Sequence, residues 1–182
     1  LGEVHYATMK LPITPGILYN ILDNLNLSEY ESACIWCCCL TMFYGLLRKS
    51  NMVGCHKMLR SDVKFMKDSI HISIRSSKTR NKYTDPPRTL ALPRMPGHPL
   101  CPVSALVHHL HLTSHLPPTA PLCAIPSRSY PQSRPKHFNL TYKCIVDVIR
   151  RSVPSHLADQ YCTQSFRRGG ATWMHSIGMG SD

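Results

Sequence analysis

The chain has 182 residues, 43% of them hydrophobic, and 21 lysines and arginines stand against 10 acidic residues for a formal net charge of +11. That content suffices for one hydrophobic core and excludes the disordered and collagen-like classes, while the charge points to a polyanionic partner. Nine cysteines, an odd number, fit a reducing compartment better than a disulfide scaffold, and the opening "LGEVHYATMK" lacks the apolar core of a signal peptide.

Thr14 followed by Pro15 predicts a capped helix start, with Ile17, Leu18, Ile21, Leu22 and Leu25 along one face. Ser28 and Glu31 have the spacing of a capping box. They predict a second helix that carries the apolar run of residues 33–47 and ends near Arg48 and Lys49, with Asn51 and Gly54 as stop signals. The run is shorter than the roughly 20 residues that span a bilayer, so a buried core helix is expected and no membrane partner. From Ile70 the apolar period becomes two, Ile70, Ile72 and Ile74 alternating with His71, Ser73 and Arg75. This predicts a strand with one polar face, then a turn in "SSKTRNKYTDPP" and a returning strand in "RTLALP".

Cys101 and Pro102 open a further helix, "PVSALVHHLHLTSHL". Six prolines between Pro117 and Pro135 predict an exposed loop without regular structure over residues 117–137. Asn139 is expected to cap a helix running to about Arg151, and Thr163 to cap the last one, which closes at Gly178. The expected architecture is mainly α with a small antiparallel β-sheet, an α+β fold, in a single domain over residues 1–182. Leu1 at the first position is read as the start of a piece of a longer protein.

Three basic positions stand at the edges of apolar elements: Arg48 in "FYGLLRKSNM", Lys78 in "IRSSKTRNK" and Arg167 in "QSFRRGG". Arg167 and Arg168 near a helix start run against the helix dipole, which favours anions there, and a bound anion would account for them. The paired glycines that follow would let that helix pack closely against neighbouring backbone. In this order, the three motifs resemble the catalytic domain of tyrosine recombinases, the phage-integrase family. "LPITPGIL" and "HPLCPVSALVHHL" resemble its versions in eukaryotic mobile elements of the DIRS and Crypton type. The similarity runs from about Leu11 to Met179.

The resemblance implies an incomplete form of the DNA breaking-rejoining fold, with residues 1–13 as the connection from an N-terminal DNA-clamping domain. It implies recombination or integration of DNA through a covalent 3′-phosphotyrosine in the full-length protein. Arg48 and Arg167 would grip the scissile phosphate, and Lys78 would protonate the departing 5′ oxygen. Phosphoryl transfer spreads negative charge over equatorial oxygens, which guanidiniums meet with paired donors, while only lysine of the two residue types can release a proton. The implied partner is double-stranded DNA, held by a homo-oligomer, in the nucleus. No cofactor, metal or small-molecule substrate is implied. Arg75, Arg80, Lys82 and Arg168 are expected phosphate contacts by charge and placement.

The chain also departs from the family's pattern. Gln164 stands where the family has a histidine, and glutamine moves no proton at neutral pH. Asn51 stands where an acidic residue is common. None of the eight tyrosines follows Arg167, whereas the family's nucleophile does, so this chain alone is expected to bind DNA without cleaving it. Trp173 lies too early to replace the missing residues and is expected in the core. The alternative reading is a non-catalytic DNA-binding remnant of a mobile-element recombinase.

Cys34, Cys37, Cys38 and Cys39, with Cys55 and His56, contain a zinc-like spacing, but three consecutive cysteines on one helix cannot all face one ion. They are read as small buried hydrophobes. His108, His109, His111 and His115 are read as a solvated or DNA-facing helix surface.

Overall fold

The computed structural model describes residues 9–53, 57–75, 88–126 and 137–178. The helices are α1 (Pro15–Asp23), α2 (Tyr30–Tyr44), α3 (Lys49–Met52), α4 (Pro102–Leu112), α5 (Tyr142–Arg151) and α6 (Gln164–Ser176), with 3-10 turns at Arg60–Asp62 and Ser155–Gln160. The strands are β1 (Val63–Phe65), β2 (Ser69–Ile74), β3 (Arg88–Pro93), β4 (Ala124–Pro126) and β5 (His137–Asn139). The fold is α+β, as the patterning predicts.

Every residue of α2 from position 33 to 44 is buried. A helix apolar all round belongs at the centre, and α4, α5, α6 and β4 all pack on it. Its cysteines are small enough to let those neighbours approach. β1, β2 and β3 form an antiparallel meander in which Ile70 faces Leu92 and Ile72 faces Leu90. Ile70, Ile72 and Leu92 are fully buried, so the predicted alternation does set one face into the core. β4 and β5 form a separate antiparallel pair. Among the described residues no helix is long and apolar enough to cross a membrane.

Thr14 caps α1 as predicted, its hydroxyl accepting from the Ile17 amide at 3.2 Å. The next helix differs at both ends. The Ser28–Glu31 box does not form: the Ser28 amide bonds to the Asn26 side chain at 3.2 Å, and α2 starts only at Tyr30. At the other end α2 stops at Tyr44 rather than near Arg48. The Gly45 amide bonds to Thr41, Leu46 takes a left-handed φ of 50°, and the Leu47 amide returns to the Met42 carbonyl at 3.1 Å. This is a Schellman closure with leucine where glycine is usual. Arg48 thereby leaves the buried helix and becomes the extended residue that starts α3.

Three further expectations are corrected. Asn139 lies in β5, and Thr141 is the residue that caps α5, through the Cys144 amide. The proline-rich stretch is exposed at residues 117–119 but not beyond them: Ala120, Leu122, Cys123 and Ala124 are buried, and the Leu122 amide donates to the Met58 carbonyl at 2.8 Å. The prolines there spare those amides, which leaves them free to pair; residues 127–136 lie outside the described residues. His109 is fully buried on α4, with Nε2 2.9 Å from the Leu122 carbonyl, instead of facing solvent or DNA. β1, β4 and β5, the last two at the ends of the stretch expected to lack regular structure, are each three residues long and too short to show a period in the sequence.

Candidate functional site

The site begins with how α6 is seated. A Cβ on Gly169 would lie 1.9 Å from the Ile13 carbonyl oxygen, and one on Gly170 would lie 2.0 Å from that of Phe43. The two glycines therefore bring α6 into backbone contact with the segment before α1 on one side and the end of α2 on the other, as their pairing suggests. The Ile13 amide bonds to the Ser165 carbonyl at 2.9 Å, and the Leu11 amide to that of Gln160 at 2.8 Å, which ties the same segment along the start of the helix. Thr163 occupies the predicted cap position, but its side chain makes no cap bond. Ser165 Oγ instead accepts the Cys162 amide at 3.1 Å. Trp173 is half-buried against Phe43 and Tyr44, ring centroids 6.1 and 5.4 Å away, which agrees with a packing role.

Because α6 crosses the turn that ends α2, the arginines of two distant sequence motifs share one cleft of about 1080 Å³. Its walls are the start of α3, the exposed face of α5 and residues 161–168. Arg48, Gln164, Arg167 and Arg168 all line it. Arg48, Gln164 and Arg167 are exposed and Arg168 is half-buried.

Seven cationic side chains line this cleft against the two carboxylates of Asp147 and Asp159. Both carboxylates are engaged: Asp147 by Lys143 one helical turn away, Asp159 by Arg150 at 3.1 Å. Lys10 donates to the Asp159 carbonyl at 2.7 Å, and the Lys49 ammonium lies 4.3 Å from the Tyr142 ring centroid. Among the described residues the side chains of Arg48, Arg167 and Arg168 have no hydrogen-bond or ion-pair partner. Like charges gathered without counterions repel each other, and a bound anion would relieve that repulsion. Guanidiniums in this state offer paired donors to a phosphate.

The remaining predicted residues fall elsewhere. Arg75 is not in the cleft; its Nε donates to Asp62 at 2.6 Å, a carboxylate that is itself buried. Lys78, Arg80 and Lys82 lie outside the described residues. Asn51 is buried beneath Arg48, its amide bonded to the Arg48 carbonyl and its own carbonyl to the Met58 amide. Lys10, Lys49, Lys143 and Arg150 were not singled out from the sequence. The readable signal was on α5, where positions 143, 147 and 150 are one polar face of an amphipathic helix.

Among the described residues no group of three or more histidines, cysteines or acids is arranged to hold a metal. Burial pushes the Cys34, Cys37 and Cys38 thiols well above their ordinary range, so they stay protonated in the core.

No family model, curated protein or solved structure matches this chain.

Proposed function

We propose that this chain binds double-stranded DNA by its backbone phosphates in the cleft, as the catalytic-domain scaffold of a tyrosine-recombinase-type protein that breaks and rejoins DNA. The observation that carries the reading is the trio Arg48, Arg167 and Arg168, without acidic partners among the described residues and lining one cleft. In the full-length protein the proposed chemistry is attack by a tyrosine oxygen from beyond Arg167 on the scissile phosphorus. The tyrosine hydroxyl gives up its proton to solvent as it attacks, the bond to the 5′ oxygen breaks, Lys78 supplies that oxygen's proton, and a 3′-phosphotyrosine remains. The two arginines hold charge on the non-bridging oxygens throughout. Several protomers would act together on DNA, in the nucleus.

The test is fluorescence anisotropy of a labelled duplex with this chain across a salt series. Three guanidiniums that displace counterions give log affinity falling with log salt at a slope of about −3 or steeper. No binding, or binding indifferent to salt, overturns the proposal.

A second reading, a DNA-binding remnant without catalysis, is favoured by Gln164, which lines the cleft where the family carries a histidine. Incubating the full-length protein with DNA and running a denaturing gel separates the two. A covalent protein–DNA adduct supports the enzyme, and salt-dependent binding with no adduct supports the remnant.

A further inference from the structure

Tyr142 lies at the rim of the cleft and is 42% exposed. The Lys49 ammonium sits over its ring, 4.3 Å from the centroid, and no other aromatic ring among the described residues packs on it. A cation over one face holds a ring in place and leaves the remaining apolar surface in water. Lys49 directly follows Arg48 in the chain. The ring and the Arg48 guanidinium that would hold a phosphate line the same cleft.

A positively charged groove with an aromatic platform is the arrangement that holds unpaired nucleotides, because every base offers a π-face. A base inside a duplex has both faces covered by its neighbours and cannot use such a platform. We infer that Tyr142, steadied by Lys49, is a stacking platform for an unpaired base of the DNA bound in the cleft. The inference rests on the reading of the cleft as a DNA site. It gives the site a preference that phosphate contacts alone cannot supply, for DNA that is single-stranded or locally opened.

The experiment compares an oligothymidine strand with an abasic strand of equal length, which has the same phosphates and no bases. The intact chain is expected to bind the oligothymidine about tenfold more tightly. Tyr142→Ala should erase that preference while leaving affinity for the abasic strand unchanged. Tyr142→Phe, which keeps the ring, should retain it, and Lys49→Ala should reduce it. Equal affinity of the intact chain for both strands overturns the inference alone, as does a Tyr142→Ala variant that keeps the preference or weakens both strands alike. Binding to neither strand overturns the inference, and the labelled duplex run alongside shows whether the phosphate reading falls with it.

Discussion

Gly170 lies so close to Phe43 that a Cβ on it would stand 2.0 Å from the Phe43 carbonyl oxygen and 2.7 Å from Leu46 Cδ2. Leu46 is the left-handed residue that turns the chain toward Arg48, so this one contact sets the arginines of α6 against the arginine that precedes α3. In an unencumbered helix, glycine to alanine gains up to about 1 kcal/mol. Here the obstacle is backbone and cannot rotate away, so the sign reverses. Gly170→Ala, and Gly169→Ala against Ile13, should each destabilise the fold by about 1–3 kcal/mol. The check is a lower urea midpoint at unchanged slope. A midpoint equal to or above that of the parent would show that α6 can shift without penalty.

Arg167→Ala should separate binding from stability. The side chain is exposed and touches no carboxylate among the described residues, so its loss removes repulsion from Arg48 and Arg168 and leaves the unfolding midpoint unchanged or slightly raised. DNA affinity should fall, and the slope of log affinity against log salt should become shallower by about 1. A variant that unfolds more easily but binds with the parent's salt slope would make Arg167 a structural residue.

What could be read from the sequence was local. The Thr14–Pro15 start, the Ile70–Ile72–Ile74 alternation and the glycine pair after Arg168 each state their geometry within a few residues. The end of α2 did not, because closure rests on Leu46 adopting a φ of 50° that glycine usually takes, and composition pointed instead to Gly54. Arg75 looked like a free surface cation because its partner Asp62 is brought to it by sheet pairing. The α5 wall of the cleft is a tertiary arrangement, and no periodicity records which helix faces which.

Asp62 should matter more than the arginine it holds. Its side chain is 2% exposed, and it accepts the Leu59 amide at 2.8 Å as well as Arg75 Nε at 2.6 Å. Asp62→Ala strands the Leu59 amide and should cost about 1–3 kcal/mol. Arg75 is 60% exposed, so water can replace it, and Arg75→Ala should cost less than about 1 kcal/mol. Urea unfolding of both variants checks the order, and a larger loss for Arg75→Ala would reverse this account of the pair.

His109 should make the fold acid-sensitive. The carbonyl of Leu122 can only accept, so His109 Nε2 carries the proton, and Nδ1 is buried without a partner among the described residues. Burial holds the ring's pKa below its ordinary value, and Arg60 and His108 act in the same direction, while Cys123 and the Leu122 carbonyl oppose them. The unfolded chain takes up this proton near pH 6.5 and the folded chain only at lower pH. Below about pH 6.5 the unfolded state therefore binds more protons, and stability falls with pH until the folded pKa is passed. The slope from one such group is at most about 1.4 kcal/mol per pH unit. The chain has 11 histidines, so the reading is a difference: His109→Gln keeps a donor for the Leu122 carbonyl but does not titrate. Urea midpoints between about pH 7 and pH 5 should fall more steeply for the parent than for the variant. Parallel slopes would mean that His109 takes up its proton as readily in the folded chain as in the unfolded one.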